Sequence, residues 1–401
     1  MQRLIRALGF LAICGVTGLI LLFAILWPEH RSEITLPAPT GPFAVGRTTY
    51  AWVNDAQSDD LAPAPGAKRV VLAWIWYPSA ASSSAAPAGY LPPQWQAAVS
   101  NQMGVLMGKF LTRDSRMVHV HSSSDPNLST AERSYPVLIM RAGGGALTTD
   151  FTTLAEDAAS HGYVVVGFDA PYRSFVVVLP DGRIATRSPA ANPENMPPDG
   201  QIPVIDKLLA MWASDTQFVV DQLNRLNTSD PSGRFTGRLD IERLGMFGHS
   251  LGGATGLQFC HDDSRCKAGI DIDGAPYGSV VKDGVKQPFL FLLSDHGDLS
   301  TPEARGVLND IESIYDRIPE GGMLLSIHGA NHFSFSDQIL LKSHLVIKLL
   351  QLFQGGLDAR RGLAITTAYV HTFFDVHLKS APAGQLDKLR HVYPEVQSAK
   401  R

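Results

Sequence analysis

The sequence predicts an α/β fold, a mainly parallel central sheet with helices on both faces, and three observations carry that expectation. Short apolar runs rich in β-branched and aromatic residues recur along the chain, among them "VVLAWIWY" and "YVVVGFDA". Between them lie longer stretches whose apolar residues follow a helical spacing. The chain has 401 residues, 45% of them hydrophobic, ample for one large core or two ordinary ones. Strands that are apolar throughout and alternate with helices belong to a sheet covered on both sides.

The first 31 residues stand apart. Arg3 and Arg6 precede an uncharged run over residues 7–27, "ALGFLAICGVTGLILLFAILW". At about 1.5 Å per residue this run makes a helix of roughly 32 Å, enough to cross a bilayer core. It exceeds the roughly 7–15 apolar residues of a secretion signal and ends without an Ala-x-Ala cleavage site. The expectation for 1–31 is an uncleaved membrane anchor, with a cleaved signal segment as the alternative. Arg3 and Arg6 favour an N-terminus in the cytoplasm, which places the body on the periplasmic or extracellular side.

A linker rich in Pro, Gly and Thr follows over 32–66, with a strand expected at 46–52. The main domain is set at 67–355. Strands are expected at 70–77, 135–142, 163–170, 243–248, 268–273, 288–294 and 323–327. Helices are expected at 150–161, 205–226, 251–262, 301–317 and 337–353. Residues 79–133 read as an insertion and candidate lid: a low-complexity loop, "SAASSSAAPAG", leads into a helix at 94–111. Residues 356–401 read as a C-terminal extension with an amphipathic helix near 361–378. The net charge is −4 with no basic cluster beyond residue 31, so nucleic acid is not an expected partner. Cys14 lies in the apolar run, while Cys260 and Cys266 are a candidate disulfide on the exported side, two buried thiols being the alternative.

Gly248-His249-Ser250-Leu251-Gly252 fits G-x-S-x-G at the seam between an expected strand and an expected helix, the context this motif requires. A sharp strand-to-helix turn lifts the serine Oγ above the sheet, and side chains at the flanking positions would clash, so glycine is needed there. Free N–H groups at the helix start suit a developing oxyanion. The serine needs a base, and the chain order for this constellation is Ser, acid, His. His332, in the loop beyond the last expected strand, is the favoured base, and His328 lies nearer the strand end. Asp273 ends "GIDID" and Asp295 ends the next strand, with Asp298 a further option and Asp271 deeper on the strand face of Asp273. The residues alone leave Asp273 and Asp295 open as the acid. "RAGGGAL" (141–147) bares backbone N–H groups through three glycines and offers an oxyanion donor beside the N–H of Leu251. His119 and His121, alternating in "VHVH", read as structural, and no metal site is expected.

"PVLIMRAGGGALTTDFTTLAEDAASHGYVVVGFDAPYR", "GHSLGGATGLQ", "AGIDIDGAPYG", "GANHFSFSD" and the early "LPAPTGPFAVGRTTY" together resemble the secreted platelet-activating-factor acetylhydrolases and their bacterial relatives, over most of 36–355. The resemblance implies an α/β-hydrolase fold and a serine esterase that removes short acyl groups with no cofactor. It implies Asp273 as the acid, His332 as the base and Gly144 as the second oxyanion donor. Where that family usually carries a His-Gly pair, this chain has Ala142-Gly143 after Arg141. The resulting expectation is a membrane-tethered carboxylic ester hydrolase for small ester or lipid substrates, acetyl or short-chain phospholipid esters among them. A serine peptidase on the same fold and a non-catalytic anchored binding module are the alternatives.

Overall fold

A computed structural model of the chain describes residues 2–80, 86–295, 302–348 and 356–399. Its strands are β1 (Ile34–Thr35), β2 (Ala44–Ser58), β3 (Lys68–Ser79), β4 (Pro87–Gly89), β5 (Val118–Ser124), β6 (Tyr135–Arg141) and β7 (Val164–Asp169), then β8 (Val176–Val178), β9 (Ile184–Thr186), β10 (Leu239–His249), β11 (Cys266–Ile272), β12 (Phe289–Leu293), β13 (Met323–Ile327) and β14 (Val396–Ser398). The helices are α1 (Gln2–His30), α2 (Pro93–Leu106), α3 (Thr152–Ser160), α4 (Pro198–Thr228), α5 (Leu251–Asp262), α6 (Val280–Asp283), α7 (Pro302–Tyr315), α8 (Gln338–Leu341), α9 (Ala359–Leu378) and α10 (Gly384–Val392).

One twelve-stranded sheet runs β1-β5-β2-β3-β7-β6-β10-β11-β12-β13-β14, with β4 on β5. From β7 to β13 every neighbouring pair is parallel. The β2–β3 hairpin joins β7 antiparallel, and β14 closes the far edge antiparallel to β13. Every residue of β6, "YPVLIMR", is buried, as a strand covered on both faces requires. Successive side chains feed opposite cores: Leu138 and Met140 join Leu154, Tyr369 and Phe373 of α3 and α9, while Val137 and Ile139 join Val220, Leu257 and Ile311 of α4, α5 and α7. Each fully buried aromatic or aliphatic side chain contributes about 1.5–3 kcal/mol, which ties α9 firmly to the sheet.

Several boundaries differ from the sequence expectations. The strand expected at 46–52 extends over fifteen residues because it pairs along nearly the whole of β3. Within 79–133, β5 pairs in parallel with β2 and β1, so that part of the segment is sheet and the helical part stands beside it; residues 81–85 of the low-complexity loop lie outside the described residues. The helix expected at 337–353 breaks after α8: Lys342 is extended and bridges Thr112, and helix resumes at 344. The tail contributes α9 and α10 and also the edge strand β14. The β8–β9 hairpin lies in a stretch for which periodicity predicts no element.

The segment Ile13–His30 of α1 is long and apolar enough to cross a membrane, which fits an anchor or a signal segment. Its last turns meet residues 107–111, with the Phe110 ring 4.6 Å from that of Phe23 and 5.9 Å from that of Trp27. A disulfide joins Cys260 to Cys266, linking the end of α5 to the start of β11, and Cys14 is free.

Candidate active site

Ser250 occupies the single residue between β10 and α5, with φ 56° and ψ −128°. A non-glycine residue rarely holds a positive φ, and here close packing enforces it. A Cβ on Gly248 would lie 2.3 Å from the Gly252 carbonyl carbon, and one on Gly252 would lie 2.2 Å from the Arg141 oxygen. A Cβ on Gly253 would come 1.9 Å from Asp271 Oδ1. The glycines are therefore what lets α5 start hard against β6 and β11, with the serine at the tip of the bend. Asp271 is fully buried beneath it, where burial and then the Asp273 charge push its carboxyl well above the usual range; its Oδ1 accepts from the Gly274 N–H at 2.9 Å.

Asp273 follows β11 and also has a positive φ, 55°. Its Oδ1 accepts from the Ser294 N–H at 2.7 Å, and its Oδ2 lies 2.7 Å from His332 Nδ1. The main chain of His332 is held as well. His249 Nε2 is 2.8 Å from the His332 carbonyl, which can only accept, so Nε2 carries the proton and donates. Burial, with the His332 ring beside it, pushes the His249 imidazole down to about 3, so it stays neutral at ordinary pH. The two rings are 4.4 Å apart.

The loop after β6 closes the site from the other side. A Cβ on Gly143 would come 3.0 Å from Ser250 Cβ, so only a bare backbone can lie this close to the serine. Gly145 has φ 73° and completes the turn. Among the described residues no acceptor is recorded for the Gly144 N–H, and Leu251 begins α5, where the N–H groups lie outside the helical ladder. Arg141 lies beneath this loop rather than in it. Its guanidinium is buried 4.0 Å from the Trp212 ring centre and 4.6 Å from that of Phe168, and it donates to the Phe168 carbonyl at 2.9 Å. Burial pushes its pKa down to about 10.

Ser250, Leu251, Gly144 and His332 all line one cavity of about 1200 Å³. Trp27 and His30 from α1, and residues of the 93–116 segment, complete its wall. The other candidates fall elsewhere. Asp295 Oδ2 lies 2.8 Å from His328 Nδ1 and accepts from the Gly329 N–H at 2.9 Å, and neither Asp295 nor His328 lines the cavity. Asp298 lies outside the described residues. His121 bonds the Leu36 carbonyl at 3.0 Å and His119 lies 3.6 Å from Glu33. One cluster, Asp157, His161 and His371, brings three potential ligand atoms within 4.8 Å away from the cavity; His371 Nδ1 is bonded to Asp157 and His161 Nε2 to Thr40, each at 2.8 Å. Sequence reasoning missed the bracing by His249, although its place inside the G-x-S-x-G motif was a signal.

A strained serine between strand and helix of a parallel sheet, with a downstream histidine on the same cavity bonded to a buried aspartate, defines an α/β-hydrolase. The solved structure of a ferulic acid esterase from Streptomyces cinnamoneus matches with a TM-score of 0.76 and 26% identity, over 92% of this chain and 100% of that one. The profile of the family described as "Platelet-activating factor acetylhydrolase, isoform II" matches residues 29–177 and 218–391, and the chain belongs to that family. An Arthroderma benhamiae protein named "Probable 1-alkyl-2-acetylglycerophosphocholine esterase" is 27% identical over 278 residues, 65% of this chain and 65% of that protein. The platelet-activating factor acetylhydrolase of Canis lupus familiaris is 24% identical over 68% of this chain and 64% of its own length, and that of Cavia porcellus 24% over 81% and 74%. The match thus spans about two thirds of the first two relatives.

Proposed function

We propose that the protein is a serine carboxylic ester hydrolase for short acyl esters, acetyl and short-chain phospholipid esters included. The observation that carries this reading is His332, which lines the cavity together with Ser250 and is held at Nδ1, 2.7 Å away, by the buried Asp273 behind it. In this mechanism Ser250 Oγ attacks the ester carbonyl. Asp273 occupies His332 Nδ1, which leaves Nε2 as the base that takes the serine proton and later delivers it to the leaving alcohol. The N–H groups of Gly144 and Leu251 hold the oxyanion, and water activated by His332 releases the acid from the acyl-enzyme. The esterase and acetylhydrolase names of the relatives support ester rather than peptide hydrolysis.

In the same reading α1 anchors the enzyme with its catalytic domain outside the cytoplasm. The Cys260–Cys266 disulfide fits an oxidising compartment, and Trp27 and His30 in the cavity wall bring the site close to the membrane end of α1. The test is an acyl-chain series of 4-nitrophenyl esters, acetyl to palmitoyl, on full-length protein in detergent. Turnover that falls steeply beyond butyryl, with labelling of Ser250 by an organophosphate, is the expected result; absence of both sinks the reading.

A further inference from the structure

One cation on the cavity wall has no ion-pair partner among the described residues. Arg187 follows the β8–β9 hairpin and is half-buried. Its Nε donates to the Ala191 carbonyl at 3.1 Å. Its terminal nitrogens, Nη1 and Nη2, have no hydrogen bond and no ion pair recorded among the described residues; the exposed Glu194 is the one carboxylate whose charge acts on it, at a distance. Those nitrogens lie against the glycine loop. A Cβ on Gly145 would come 2.8 Å from Nη1, and one on Gly144 would come 3.6 Å from Nη2. Arg187 lines the same cavity as Ser250 and His332.

The rest of the wall leans the same way. Lys109 and Arg113 contribute to it, together with Lys342, whose ammonium burial pushes down; its acidic members are Asp114, Asp150 and Glu194. Asp114 is already paired with Arg31 and Arg116, and burial pushes the Asp150 carboxyl up toward its neutral form. A guanidinium stripped of part of its water, with two N–H-bearing nitrogens facing a cavity, matches the paired oxygens of a carboxylate or phosphate.

We propose that Arg187 is an anion-binding residue of the substrate pocket, and that the preferred ester carries an oxyanion group, carboxylate or phosphate, a few bonds from the scissile carbonyl. The inference rests on the ester-hydrolase reading of the cavity and adds to it the residue that selects for the anion. The Arg187 fork lies beside the Gly144 backbone, where the acyl carbonyl oxygen is held, so an anion on either the acyl or the alcohol side comes within its reach.

Two matched pairs of esters test this on the full-length protein. 4-Nitrophenyl valerate against the 4-nitrophenyl monoester of glutaric acid places the charge on the acyl side. Monoacetylglycerol against acetylglycerol phosphate places it on the alcohol side. The expected result is a higher kcat/KM for the charged member of at least one pair in the native protein. In Arg187→Met that charged-to-neutral ratio falls about 10- to 100-fold, and Arg187→Lys, which keeps the charge but not the fork, retains part of it. The responding pair identifies the side of the ester on which the anion sits. Native protein that cleaves the neutral esters without an Arg187-dependent preference overturns this inference and leaves the ester-hydrolase reading standing. Equal loss on both members in Arg187→Met, with Arg187→Lys no better, makes the residue a prop for the glycine loop and also overturns it. No turnover on any ester removes the underlying reading, and this inference with it.

Discussion

Two Asp–His pairs stand at the ends of neighbouring strands, Asp273–His332 after β11 and Asp295–His328 after β12, and their contact distances are nearly the same, 2.7 and 2.8 Å. Their surroundings are not. The Asp273 side chain is 2% exposed against 32% for Asp295, and His332 is 40% exposed against 74% for His328. In the first pair His332 shares a cavity with Ser250, and His249 braces it through the His332 carbonyl. The second faces solvent and fastens the Gly329 turn. A carboxylate shielded from water holds an imidazolium far more effectively than an exposed one, whose ion pair is worth about 0–1 kcal/mol. The distance between partners therefore does not separate the two pairs, and in the proposed mechanism burial beside Ser250 does.

The largest expected effect tests whether the cavity of the first pair is where bonds are broken. Ser250→Ala lowers kcat on 4-nitrophenyl acetate by at least about 10⁴-fold, read by initial rates under saturating ester. Activity near that of the native protein would detach the Asp273–His332 pair from catalysis altogether.

Next in size is the direct contrast between the pairs. Asp273→Asn lowers kcat by about 10⁴-fold, because Asn in place of the carboxylate favours the wrong His332 tautomer and cannot stabilise its charged form. Asp295→Asn stays within about threefold, since an exposed pair of this kind contributes little. His332→Ala and His328→Ala divide in the same way. Equal losses in the two aspartate variants, or a larger loss in Asp295→Asn, would reverse the comparison.

A smaller effect follows from the glycine that lets the loop lie on the serine. In Gly143→Ala the new methyl meets Ser250 Cβ at 3.0 Å and the His249 oxygen at 3.1 Å, so the loop has to move back. Displacing one oxyanion donor costs about 10²-fold or more in kcat. The loss falls on kcat rather than KM, which separates a displaced donor from a blocked pocket in steady-state kinetics.

Where the chain's own local sterics decide a feature, the sequence carried it openly. The α5 helix runs over 251–262 and β13 over 323–327, as periodicity and the glycine-flanked serine imply. The two aspartates were not separable in that way, because both end an apolar strand at the same rim of the sheet, and only the family resemblance favoured Asp273. Features made by distant partners were hidden. β5 exists as a sheet strand because β2 and β1 accept it, β14 because β13 has a free edge, and the break at Lys342 because Thr112 bridges it. Arg187 sits in "GRIATRS", which no motif distinguishes from an ordinary polar loop; its position over Gly144 and Gly145 comes from the β8–β9 hairpin.

The smallest effect concerns stability rather than turnover and tests the bracing of the first pair. The His249 imidazole is pushed down to about 3 in the folded protein, whereas in the unfolded chain it titrates near its ordinary 6.5. Between those values the unfolded state binds more protons, so this group's contribution is full above about pH 6.5 and is lost progressively as the pH falls toward 3. The slope from one such group is at most about 1.4 kcal/mol per pH unit. His249→Asn keeps an N–H donor but removes the titration, so its Tm falls less between pH 6.5 and pH 4 than that of the native protein. Parallel thermal melts at half-unit pH steps read the difference. A His249→Asn profile that overlays the native one would mean that this ring is free to charge in the folded state and does not hold His332 in the way the contact implies.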